Sequence, residues 1–151
     1  MKEKIILFTR VPKEGTTKTR LYDFMSPTEA VNIQKKLLKK NYDLLAETNR
    51  ELLVCHDGNN SDDKEMAELI SCDKFYYQKG DNLGDKMYNA LEEVISDSKV
   101  ILLGSDIFNL DKDIIEEAFE KLETHDIVTN PSEDGGYFLI GMKKAIKEVF
   151  D

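Results

Sequence analysis

Directly after the apolar run KIILF stands RVPKEGTTKTRL, residues 10–21. It carries Arg10, Lys13, Lys18 and Arg20 in a chain whose formal net charge is −9. Cations concentrated in an acidic chain suit a small phosphorylated ligand, although a solvated basic turn has the same composition. Gly15 lets the backbone approach a ligand closely. Lys18 and Arg20 fall where a helix is expected to begin, and the exposed N–H groups of a helix start attract phosphate. A P-loop is excluded, because EGTTKT lacks the glycine that must precede the lysine. The first strand and its sequel hold no acid before Glu14, which removes an aspartate nucleophile built there.

Two further clusters could do chemistry. In LLGSDIF, 102–108, Asp106 stands two residues past an apolar run. A carboxylate in that place can ligate Mg²⁺, a hard cation that shares its shell between carboxylates and phosphates. It can equally be an N-cap or a turn aspartate. In PSEDGGYFLIG, 131–141, Gly135 and Gly136 remove two side chains where a strand begins. Asp134 beside them could bind a metal or a hydroxyl, or simply make the turn. VCHDG sets Cys55 next to His56, but neighbours on a strand face opposite ways and cannot pair as nucleophile and base. His125 has no second histidine near it. Both histidines read as structural.

These residues need a frame, and the pattern of the chain supplies one. Six segments read as strands: 4–8, 51–56, 74–78, 100–104, 126–130 and 137–141. Helical patterns, or stretches long enough for one, separate all but the last two. Such alternation predicts a mainly parallel sheet with helices on both faces. VILLG is apolar without alternation, as a strand covered on both sides should be. The clearest helix opens at Ser26, where Ser26 and Glu29 fit a capping box and Pro27 takes the first position. Ala30, Ile33, Leu37, Leu44 and Leu45 then recur at helical spacing. Residues 82–95 and 112–123 read as two more helices, and KKAIKEVF as the start of another. Strands five and six are joined by PSEDGG alone, too short for a parallel crossover. Strand six is therefore expected to run antiparallel.

The bulk numbers bound the class. A chain of 151 residues, 40% hydrophobic and 34% charged, is expected to form one domain with a real core, 1–151. Its longest apolar stretches are about five residues, far below the ~20 that span a bilayer. The N-terminus is too weakly apolar for a secretory signal, which makes the cytoplasm the expected location. Cys55 and Cys72 form no C-x-x-C pair and argue against a disulfide framework or a zinc site. Residues 1–50 carry 11 Lys and Arg against 6 Asp and Glu, whereas residues 51–151 carry 10 against 24. So acidic a body repels polyanions, which argues against nucleic acid as a substrate.

FTRVPKEGTTKTRL, YQKGDNLGDKM, GSDIFNL and DGGYFLIGM together resemble a bacterial family of GT-A-like transferases, the DUF2064 type. That family is described as glycosyltransferase-like and is similar to 2-phospho-L-lactate guanylyltransferase. The resemblance runs from Ile5 to Met142. It implies a nucleotide-diphospho-sugar transferase fold, a three-layer α/β/α sandwich. It also implies a nucleotidyltransferase or glycosyltransferase that uses a nucleotide or nucleotide-sugar, Mg²⁺ (or Mn²⁺) and a small-molecule acceptor. Arg10, Gly15, Lys18, Thr19 and Arg20 would then hold the phosphates, with Gln78, Leu83 and Gly84 lining the nucleotide or acceptor pocket. Asp106 would hold the metal, Asp134 would act with it in catalysis, and Gly135, Gly136 and Tyr137 would shape the acceptor side. The reaction implied is displacement at phosphorus or at an anomeric carbon, with no protein nucleophile. Two departures stand out. Phe108 occupies a position where the family has proline, and family members continue well past the DGGY strand whereas this sequence ends at Asp151. The alternative reading is therefore a truncated or non-catalytic nucleotide-binding or protein-interaction domain of the same fold. A homo-oligomer in which a second subunit supplies the missing part is the third.

Overall fold

A computed structural model describes residues 1–14, 24–72, 74–131 and 137–151, with the backbone alone at Pro131 and Tyr137. The predicted strands all form: β1 (Lys2–Thr9), β2 (Glu51–His56), β3 (Phe75–Tyr77), β4 (Ser98–Gly104), β5 (Ile127–Pro131) and β6 (Tyr137–Met142). They join in one sheet of order β3-β2-β1-β4-β6-β5. β1 pairs in parallel with β2 and β4, and β2 with β3. β6 runs antiparallel to both β4 and β5, as the short connection requires.

Helix α1 (Pro27–Ala46) starts where its sequence says it should. The Glu29 N–H donates to Ser26 Oγ at 3.2 Å, and the Ser26 N–H donates to Glu29 Oε1 at 3.3 Å. Two orphan donors of the first turn are thus satisfied reciprocally, and Pro27 loses nothing by having no N–H. The buried stripe comprises Ala30, Val31, Gln34, Leu37, Leu38, Asn41, Tyr42 and Leu45. Ile33 and Leu44 lie only half-buried at its margin, so the stripe is turned slightly from the one the apolar residues suggest. Two amides, Gln34 and Asn41, occupy places on it that an apolar count passes over.

Helices α2 (Asp63–Leu69), α3 (Leu83–Val94) and α4 (Lys112–Leu122) complete the layers. Asn82 caps α3 and Asp111 caps α4, each through a side-chain oxygen that accepts from the third residue on. Side chains alternate across the sheet with period two. Ile5, Leu7, Val54, Ile101 and Leu103 face α1, α2 and α4. Ile6, Leu53, Val100, Leu102 and Ile140 face α3 and the last residues of the chain. The result is the expected three-layer α/β/α sandwich. Val100, Ile101, Leu102 and Leu103 are all at most 4% exposed, which explains the unbroken apolar run of β4. Truncating Ile101, Leu102 or Leu103 to alanine would cost about 2–5 kcal/mol through lost burial and the cavity left behind. KKAIKEVF ends in a single 3-10 turn, Lys147–Phe150, rather than an α-helix. Among the described residues no helix is long and apolar enough to cross a membrane.

Candidate functional site

The strand order sets the place. From β1 the chain steps outward through β2 to β3, and β4 lies on the other side of β1. The carboxyl ends of β1 and β4 therefore flank the switch point, where open α/β sheets bind ligands. Phe8 is opposite Gly104 at the end of the parallel register, Thr9 Oγ1 meets Ser105 Oγ one residue on, and Arg10 and Asp106 are the next residues of the two segments. Arg10 and Asp106 are exposed; Thr9 and Ser105 are buried beneath them.

Asp106 caps no helix, since α4 starts six residues later on Asp111. Its carboxylate folds back over the end of β4: a Cβ added at Gly104 would lie 3.3 Å from Asp106 Oδ1. Gly104 thus leaves room for the acid at the end of β4. The buried layer below is neutral. Thr9 Oγ1 and Ser105 Oγ lie 2.7 Å apart, bridging the two strands. Gln34 Nε2 donates to Ser105 Oγ at 3.1 Å. Asn41 Nδ2 donates to Ser105 O at 2.8 Å and to Ile107 O at 2.9 Å. Asn41 Oδ1 is buried and accepts no hydrogen bond from the described residues. Leaving such an acceptor unpaired costs about 1–3 kcal/mol.

Residues from β2 and β3 brace the other side. Gln78 Nε2 donates to Thr9 O at 2.9 Å and reaches Cys55 O at 3.4 Å, tying the ends of β1 and β2 together. The Val11 N–H donates to Asp57 Oδ1 at 2.7 Å, fixing where the cationic loop leaves the sheet. Lys13 turns toward α2 and pairs with Asp62 Oδ1 at 3.0 Å. The Asn59 N–H and then Lys13 hold the Asp62 carboxyl below its ordinary range.

Cys55 and His56 do face opposite sides. Cys55 packs on the α3 layer, where burial pushes its thiol up to about 12 and disfavours the thiolate that a nucleophile needs. His56 is fully buried, accepts from the Gly58 N–H at Nδ1 (3.1 Å) and donates from Nε2 to Asp63 Oδ1 (2.9 Å). Tyr77 donates to the other oxygen of Asp63 at 2.6 Å. This is a brace for the start of α2.

Of the residues expected at the site, the structure brings Arg10, Gln78 and Asp106 to one edge of the sheet. Leu83 is exposed on the first turn of α3, and Gly84 beside it admits the close approach of Phe150, whose carbonyl oxygen would lie 2.5 Å from an added Cβ. Tyr137 opens β6. Gly15, Lys18, Thr19, Arg20, Asp134, Gly135 and Gly136 lie outside the described residues. Among the described residues no three His, Cys, Asp or Glu side chains gather as a preformed metal site would need. A cleft of about 250 Å³ opens between Val11 and Pro12, Lys35 of α1, and Met66 and Leu69 of α2. No residue of the loop after β4 lines it, and its rim includes Glu65 and Glu68, so it is poorly suited to phosphate.

Gln34 and Asn41 are the residues that sequence reasoning missed. The signal was present as two amides seven apart in an otherwise apolar stripe, the same face of the helix two turns on.

Comparison with known proteins agrees with this fold. No curated protein matches the sequence. A protein from Desulfovibrio desulfuricans G20 provisionally named a nucleotide-diphospho-sugar transferase shares 28% identity and a TM-score of 0.90, over 100% of this chain and 68% of its own. A cytidylyltransferase from Leptospira borgpetersenii shares 16% identity and a TM-score of 0.57, over 99% of this chain and 62% of its own. The 4-diphosphocytidyl-2C-methyl-D-erythritolsynthase of Anaerococcus prevotii shares 9% and a TM-score of 0.57, over 98% and 74%. The last two likenesses are of fold alone. Residues 38–151 match the family described as "Uncharacterized protein conserved in bacteria (DUF2064)", and the chain belongs to it.

Proposed function

We propose that the chain is a Mg²⁺-dependent transferase that takes a nucleotide or nucleotide-sugar as donor and a small molecule as acceptor. The observation that carries this reading is that Arg10 and Asp106, both exposed, follow directly on Thr9 and Ser105, the buried hydroxyl pair that joins the carboxyl ends of β1 and β4. A cation beside a carboxylate at a switch point suits a phosphate chain that arrives with its metal. One described carboxylate is too few for a metal held by protein alone. It does fit Mg²⁺ bound through one or two carboxylates plus substrate phosphates. Asp106 would hold the ion together with the donor, with Asp134 as the second candidate acid. The ion would supply neutralisation of the diphosphate that leaves.

The remaining roles fall to the chain's own groups. Arg10, Lys18, Thr19 and Arg20 would bind the phosphates, with Gly15 giving them room. Gln78 holds the end of β1 in place, and Leu83 and Gly84 would border the nucleotide or acceptor. Gly135, Gly136 and Tyr137 would shape the acceptor side. Rate in such displacements comes chiefly from positioning and charge stabilisation. This agrees with a buried, protonated Cys55 and an enclosed His56.

A thermal-shift panel of GTP, CTP, UTP, ATP and nucleotide-sugars, each with and without Mg²⁺, tests the reading. A ligand at a hundred times its Kd adds about 2.7 kcal/mol, or several degrees in a domain of this size. The expected result is a shift that needs both one nucleotide and Mg²⁺, and that Asp106→Asn abolishes without moving the ligand-free midpoint. Lys18→Ala and Arg20→Ala should weaken triphosphates far more than nucleosides, because the contact is to phosphate. No shift with any ligand rules the reading out for the chain as it stands.

A further inference from the structure

We infer that Gln34 and Asn41 of α1 are positioning residues for Asp106. The inference rests on the proposed role of Asp106 at the donor, but its structural half can be tested without that role. The two amides sit seven residues apart, on one face of the helix about 10 Å from each other. Both are nearly or fully buried, at 5% and 0% exposure, among Leu37, Leu38 and Leu45. Buried amides persist only where their hydrogen bonds are needed, because an apolar side chain would avoid the desolvation.

Asn41 spends both hydrogens of its Nδ2 on the carbonyls of Ser105 and Ile107. Those carbonyls pin the peptide planes that enter Asp106 and leave Ile107. The two residues between them have little room to swing, and the direction of the Asp106 side chain follows. Gln34 acts one step earlier. Its Nε2 can only donate, so Ser105 Oγ accepts from it and donates to Thr9 Oγ1, and Thr9 in turn donates to Arg10 O at 3.0 Å. One relay therefore links α1, the loop that carries Asp106 and the start of the cationic loop. Lys40 Nζ adds a third tie from the same helix, to Phe108 O at 3.0 Å. Asn41 Oδ1, which has no partner among the described residues, argues in the same direction. Leucine at 41 would fill the place without an orphan acceptor, so the two donations are what asparagine contributes there.

The test is Asn41→Leu, read in two independent ways. Hydrogen exchange of the unliganded protein should quicken at least tenfold at residues 105–108, while the β1–β2 seam and the unfolding midpoint stay within a few degrees of the unaltered chain. Mn²⁺ binding, followed by electron paramagnetic resonance in the presence of GTP, CTP, UTP or ATP in turn, should weaken about tenfold or more. Should Asn41→Leu fail to fold, Gln34→Met keeps the length of the side chain and carries the same two measurements through Ser105. Unchanged exchange at 105–108 overturns the inference, as does loosening spread evenly over the whole sheet. Undiminished Mn²⁺–nucleotide binding in a variant with a loosened loop overturns it too. If the unaltered chain binds no Mn²⁺ with any of these nucleotides, the proposed function fails. Local quickening alone then still supports the clamp on the loop, and its absence still refutes it.

Discussion

The two ends of the sheet are tied by opposite kinds of chemistry. At the amino end, charges are matched to one another. Arg50 Nε meets Glu3 at 2.8 Å, its Nη atoms grip both oxygens of Glu116 at 2.7 and 2.8 Å, and its guanidinium lies 4.3 Å from the centre of the Phe119 ring. Lys99 pairs with Glu123 at 3.0 Å and approaches Glu3 at 3.9 Å. At the carboxyl end of β1 and β4 the cross-links are amides and hydroxyls, and charged side chains stand on the exposed rim above them. The lesson is about placement of charge. A neutral cross-link joins the strands without adding a further charge to the rim that carries Arg10 and Asp106, which under the proposed function is where phosphate and metal would bind.

The comparison can be broken most easily at Arg50. Its side chain is only 12% exposed but its partners are more open, so Arg50→Ala should lower stability by about 2 kcal/mol, between the surface and fully buried limits for ion pairs. Denaturant unfolding measures that loss, and 1 M salt should shrink it by screening the exposed Glu116. If nucleotide binding also changed in this variant, the two ends would be coupled and the contrast would fall.

Ser105→Ala probes the neutral end and should cost less, about 1–2 kcal/mol, since it strands a buried donor on Gln34. Its effect should be the same in low and high salt. A strong salt dependence would show that charge takes part in this cross-link after all.

Acid titration should give the smallest difference. Arg50 holds Glu116 below its ordinary value of 4.5, and Lys99 does the same for Glu123. A carboxylate lowered by folding stabilises above its unfolded value and loses that contribution as pH falls through its folded one. Stability should therefore decline below about pH 4.5, with a shallower slope in Arg50→Ala and an unaltered slope in Ser105→Ala. Parallel curves for all three proteins would remove the amino-end pairs as its source.

How much of this was legible in the sequence follows from how local each cause is. The cap of α1 is legible because Ser26, Pro27 and Glu29 do their work within one turn. The reversal of β6 is legible because six residues, 131–136, cannot make a parallel crossover. The position of Asp106 past β4 is legible because an apolar run ends at Gly104. The clamp on Asp106 is not, because Gln34 and Asn41 find their partners 71 and 64 residues away. No periodicity encodes such a pairing, and a polar residue in an apolar stripe looks at first like an interruption. Gln78 was expected at the pocket from resemblance, and the fold shows what its amide holds: the last carbonyl of β1.

The position of β6 has a consequence for synthesis. β5 leaves the ribosome first, yet it meets the sheet only through β6. A nascent chain ending near Pro131 therefore has β4 as an open edge and β5 without a partner, the condition that invites strand pairing between chains. Closure waits for residues 137–142 to insert between them. Ribosome-bound chains arrested with residue 131 just outside the tunnel should stay protease-sensitive, and those arrested past residue 142 should resist. Equal resistance at both lengths would mean that the first four strands hold without their neighbour. Otherwise, β6, which leaves the ribosome after both of its neighbours, is the strand that makes an edge strand into an interior one.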